Sequence, residues 1–171
     1  MATSRTLTSD DRQTIAERLK ERIYVTFTSL TVVLALSSHA HDLTAGKAAT
    51  TLLIAVGGTL LAVFVADFIS HTVAHTALPT RSQLRHMVGV VANAIGVVIV
   101  PLILLGLAAL DVMNIELALS VSSIVLVATL GLVGFLAVRR VQLGAWLKVA
   151  LLAVEVILGL AVVGLELLAH G

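Results

Sequence analysis

The sequence predicts an all-α membrane protein: a polytopic bundle of five transmembrane helices, preceded by a short amphipathic helix, with the N-terminus in the cytoplasm. Composition is the first observation behind that fold class. The 171 residues are 58% hydrophobic and 12% charged, with a mean hydropathy of +1.07. Soluble domains carry roughly 25% charged residues, and a chain of this size has no interior large enough to hide so much apolar surface. The second observation is that Asp, Glu, Lys and Arg are missing from long stretches, and a helix needs about 20 mostly apolar residues to cross a hydrocarbon core of roughly 30 Å. The third is the alternation of basic residues from one side of those stretches to the other.

The first 22 residues hold Ser9, Asp10 and Asp11, which suit a helix N-terminus, followed by Ile15, Leu19 and Ile23 at i, i+4 and i+8 among charges. This pattern predicts an amphipathic segment on the cytoplasmic face, or a solvated extension of the first span. Residues 23–171 form the second part, a single five-helix transmembrane domain. Its spans are Ile23 to His41, Ala48 to Ala66, Met87 to Leu110, Leu117 to Val138, and Lys148 to Leu168, the last interrupted by Glu155 and Glu166. Pro101 is expected to kink the third span. The connections are short, which makes consecutive helices antiparallel neighbours and leaves no room for a soluble domain.

Orientation follows from the flanking cations, because Lys and Arg near helix ends resist translocation. Arg5, Arg12, Arg18, Lys20 and Arg22 precede the first span, Arg81 and Arg85 separate the second from the third, and Arg139, Arg140 and Lys148 separate the fourth from the fifth. Only Lys47 lies on the other side, with Asp42, Asp111, Glu116 and Glu166.

Several function classes are excluded or disfavoured. The chain has no cysteine, which removes disulfides and thiolate metal sites. Its net charge is +1 and its basic residues fall in short clusters between apolar runs, which is not a nucleic-acid footprint. No nucleophile–base pair, zincin motif or cofactor fingerprint appears, so an enzyme is not expected.

Polar residues at membrane depth are therefore the candidate site. Asp67, Glu155, Asn93, Thr26 and Ser29 come from four spans, yet all fall in the cytoplasmic half of the bilayer, which predicts a shared polar pocket and an ion pathway. Asp67, His71 and His75 recur every fourth residue, so they share one helical face and form a stripe of candidate metal or proton ligands. The plainer alternative has both histidines facing water and Asp67 paired with Arg22 or Arg85. Gly58, Ala62 and Ala66 also recur every fourth residue and permit close backbone approach, either to another helix of the same chain or to a second copy.

The stretches Glu21–Arg22–Ile23–Tyr24 and Ala62–Val63–Phe64–Val65–Ala66–Asp67–Phe68–Ile69–Ser70–His71, with the segment Gly159 to His170, resemble small bacterial five-span membrane proteins. That resemblance implies a bacterial plasma membrane. Ala66–Asp67–Phe68–Ile69–Ser70 is also distantly similar to the Gly-Glu-Tyr-(Val/Ile)-Ser motif on the second helix of the vacuolar iron transporter family, which implies a dimer with Asp67 as the pathway carboxylate. Thr28–Ser29–Leu30 stands where that family has Asp-Gly-Leu, and the family's long cytoplasmic insertion has no counterpart between Leu78 and Arg85. The expectation is a homo-oligomeric protein that moves a small cation, proton or divalent metal, through the bilayer. A metal ion is the one candidate cofactor, and a non-transporting accessory or scaffold protein is the alternative.

Overall fold

The computed structural model describes residues 9–140 and, beyond them, 146–150 and isolated positions up to 164. Every element among the described residues is helical: α1 (Ser9–Ser37), a 3-10 turn (Ala40–Asp42), α2 (Ala45–His75), α3 (Arg81–Ala94), a second 3-10 turn (Ile95–Val98), α4 (Ile99–Ala109) and α5 (Ile115–Arg140). The amphipathic segment is the beginning of α1, and no break separates it from the apolar run.

Local chemistry sets the helix ends. Thr44 caps α2, accepting a hydrogen bond from the Lys47 N–H. Thr76, in the left-handed region at φ 48°, ends the same helix. Thr80 and Gln83 form a capping box on α3, in which each side chain accepts from the other's backbone N–H. Asn114 Oδ1 accepts from the Leu117 N–H at 2.8 Å and starts α5. Where the third span was predicted to kink, a 3-10 turn lies just before Pro101. The proline ring crowds the carbonyl four residues back, which belongs to Val97, and the helix tightens there.

Three of the described helical rods are long and apolar enough to cross a membrane: Ala45–Ala74, Arg81–Ala109 and Ile115–Leu136. The charge-free part of α1 runs from Ile23 to Ser37, 15 residues or about 22 Å at 1.5 Å per residue. Most of the segment predicted as a fifth span, Lys148 to Leu168, lies outside the described residues.

Helix α1 packs on α2, α3 and α5, while α4 closes the ring by packing on α5 and α2. The core between them holds Val25, Leu30 and Val33 of α1, Leu52 and Val56 of α2, Leu105 of α4, and Leu119 and Leu126 of α5. Several hydroxyls inside these helices donate back to a carbonyl one turn earlier, as Thr59 does to Ala55 at 3.0 Å and Ser122 to Ala118 at 2.7 Å, so these add no unpaired donor to the apolar layer. Helix α2 is the most peripheral, with 17% of its apolar window buried against 33% for the other two rods. Its Gly58, Ala62 and Ala66 are exposed, and a methyl group built on Gly58 would meet no atom within 4 Å. Among the described residues, then, the stripe does not pack on the first or third helix of its own chain.

Candidate functional site: a polar cavity at one end of the bundle

Three helices run past the apolar layer at the same end: the first half of α1, the last turns of α2 and the first turns of α3. On each, polar residues recur at helical spacing, so each presents one polar face. Thr14, Glu17 and Lys20 come from α1, Asp67, Ser70 and His71 from α2, and Gln83 and His86 from α3. With Met87 and Val90 at its apolar floor, these faces enclose a cavity of about 560 Å³. Thr14 Oγ1 lies 3.3 Å from His86 Nε2 and ties α1 to α3 across it.

The charges form a chain across α1 and α2. Lys20 Nζ lies 3.5 Å from Asp67 Oδ1 and 3.3 Å from Glu21 Oε1. Asp67 therefore pairs with Lys20, not with the Arg22 or Arg85 that its sequence neighbourhood suggested. Glu21 is 0% exposed, and among the described residues the Lys20 ammonium is what stands against its carboxyl oxygens. It stands two residues before the charge-free run of α1, outside the apolar spans. Burial pushes its carboxyl above the usual range, the Lys20 ammonium pulls it back in part, and the charges of Asp67 and Glu17 push it up further. Burial pulls the Lys20 ammonium down, but Glu21 and Asp67 outweigh it and hold the net value above the ordinary lysine range.

The other sequence candidates fall in several places. His71 lines the cavity beside Asp67. Thr26 is buried and donates to the Arg22 carbonyl at 2.6 Å. Ser29 is buried and its hydroxyl has no partner among the described residues, unlike those of Thr26 and Ser122. Asn93 is exposed on α3 and does not line the cavity, so it does not join Asp67 there. Glu155 and the His75 side chain lie outside the described residues. Among the described residues no three His, Asp or Glu side chains come together closely enough to hold a metal ion.

Glu21 and Lys20 were not singled out from sequence because they sit in a charged segment that looks solvated. A signal was present. Extending the buried line of α1 backwards from Val33 through Ser29 and Val25, in steps of four, lands on Glu21. Compared with known protein families, with curated proteins and with solved structures, the chain matches none.

Proposed function

We propose that this chain is a multi-pass protein of a bacterial plasma membrane that moves a small cation, with the proton as the favoured cargo and the cavity as its cytoplasmic vestibule. The observation behind this reading is the convergence of Lys20, Asp67, His71 and His86 from three helices on one cavity, with buried Glu21 behind it. Asp67 serves as the carboxylate that alternates between ion and proton. An imidazole has one nitrogen that accepts a proton and one that donates, which suits His71 and His86, both on the cavity wall, to relay protons to it. A proton needs only these titratable groups. A divalent metal ion needs further ligands beside Asp67 and His71, and His75 or Glu155 are the residues to supply them.

In this reading α1 and Lys148 to Leu168 complete five spans, and the end with the cavity faces the cytoplasm because ten of the eleven Lys and Arg residues flank that side. The open small-residue face of α2 supports a homodimer.

Reconstitution tests the reading directly. Proteoliposomes given a membrane potential and a trapped pH dye are expected to show proton flux with the wild-type chain, falling to the empty-vesicle rate with Asp67→Asn. A wild-type rate equal to that of empty vesicles, for protons and for manganese(II) in a parallel assay, overturns the transport reading and leaves the scaffold alternative.

A further inference from the structure

We infer that Lys20 is the resident occupant of a two-carboxylate cation site made by Asp67 and Glu21, and that a small cation enters this site by displacing the Lys20 ammonium. The inference rests on the cation-handling reading of the cavity and names what holds its site at rest.

The geometry of the Lys20 side chain is the first argument. Adjacent residues on a helix point about 100° apart and do not face each other. The contact of Lys20 with Glu21 is therefore no by-product of their sequence positions. The stem of Lys20 curls so that one ammonium lies 3.3 Å from the carboxylate on its own helix and 3.5 Å from the one on α2. The ammonium thus stands between the two carboxylates and bridges the two helices.

The second argument is independent of the acidic cluster as such. Glu21 is fully buried, and among the described residues neither oxygen has a partner other than the Lys20 ammonium. An ionised carboxylate in that position is strongly unfavourable unless a cation stands against it. Among the described residues Lys20 is the cation that does so. The other charged or titratable groups around the cavity are Glu17 on α1, His71 on α2 and His86 on α3. Helix α5, also packed on α1, brings Arg139 and Arg140 to this end, and their side chains lie outside the described residues.

The third argument is that the occupant can leave. The Lys20 side chain is 45% exposed and lines the cavity, so its flexible stem can swing into open space while Glu21 stays buried. A tethered occupant lowers the apparent affinity for a soluble cation in proportion to the time it holds the site. Nine-tenths occupancy corresponds to a loss of about tenfold.

The test is chemical rescue. Lys20→Ala protein in detergent is titrated with ethylammonium, sodium or potassium chloride at constant ionic strength, with choline as the bulky control and thermal unfolding as the readout. The expected result is a saturable rise in Tm with ethylammonium or one of the small ions. Its midpoint should lie about tenfold or more below that of the wild type, and the rise should be absent in Lys20→Ala/Asp67→Asn. A Lys20→Ala protein that responds to no ion beyond choline, or a double variant that responds equally, overturns the inference. If Lys20→Ala and Lys20→Gln fold only when purified in ethylammonium, that supports it. If they remain unfolded in ethylammonium, that overturns it. Saturable binding without flux in proteoliposomes would leave the tethered occupant and remove transport. Flux without any gain in cation binding would do the reverse.

Discussion

The two ends of the bundle handle charge in opposite ways. At the end with the cavity, α1, α2 and α3 each run past the apolar layer. Helix α2 has 31 residues, about 46 Å, against a hydrocarbon thickness of roughly 30 Å. The surplus turns carry Asp67, Ser70 and His71 and face the surplus turns of α1 and α3, so charged groups are held by helices and meet across a cavity. At the far end the helices stop close to the apolar limit. A 3-10 turn (Ala40–Asp42) and a tight turn through Asp111 at φ 58° reverse the chain, and the charged groups there lie on those turns or, like Lys47 and Glu116, in the first turn of a helix, and are exposed. His41 and Glu116 approach to 3.1 Å there, but both are largely exposed. The difference teaches that helix length past the apolar layer makes a site, whereas charged residues on short turns make only a polar rim.

The sharpest way to break this comparison is to ask whether the ends lie on opposite sides of a membrane. The chain has no native cysteine, so single cysteines report cleanly. Ala77→Cys, between α2 and α3, is expected to resist an impermeant thiol reagent in intact cells, and Val112→Cys, between α4 and α5, is expected to react fully. The opposite result inverts the orientation. Labelling of both positions would mean that the two turns do not face separate compartments.

A smaller effect distinguishes the buried carboxylate. The folded pKa of Glu21 lies above its ordinary value of 4.5, so folding favours the protonated form. Its contribution to stability is complete below the ordinary value and is lost as pH rises through the raised one. Urea or thermal unfolding in detergent should show stability falling over that window in the wild type, with a shallower fall in Glu21→Gln. Equal slopes in the two proteins would mean that Glu21 does not titrate as a buried group.

The capping box at the mouth of the cavity is expected to matter less. Thr80→Ala removes the acceptor for the Gln83 N–H and should lower unfolding stability by about 1 kcal/mol. A neutral result would show that α3 is held at its start by packing alone. Smallest of all is Glu116→Gln at the far end, where the exposed pair should contribute no more than about 0.5 kcal/mol. A loss beyond about 2 kcal/mol, larger than exposed pairs deliver, would show that charge closes that end as firmly as the turns do.

How legible these features were in the sequence depends on their range. The apolar spans of α2, α4 and α5 were visible because hydropathy over some twenty residues is a local sum, and Pro101 announces a distortion through its covalent geometry. Asp67 and His71 were found by their spacing on one helix. The ion-pair partner of Asp67 was not, since Lys20 is 47 positions away and Arg22 and Arg85 offered equally good charge. Asn93 matched Asp67 in depth but not in direction, because distance along a helix says nothing about how that helix is rotated.

By itself, the sequence determined that apolar helices dominate this chain, where their charges stop and start, and which residues share a face on a single helix, since each of these follows from composition or from the period of one element. Only the tertiary structure decided which faces meet. It turned the α1 line through Glu21 and Ser29 inward, left the Gly58–Ala62–Ala66 face of α2 open, and set the Lys20 ammonium between two carboxylates from different helices. The physical reason is that rotation and register of packed helices are settled by side-chain interlocking over the whole core, and no local window of sequence contains that sum.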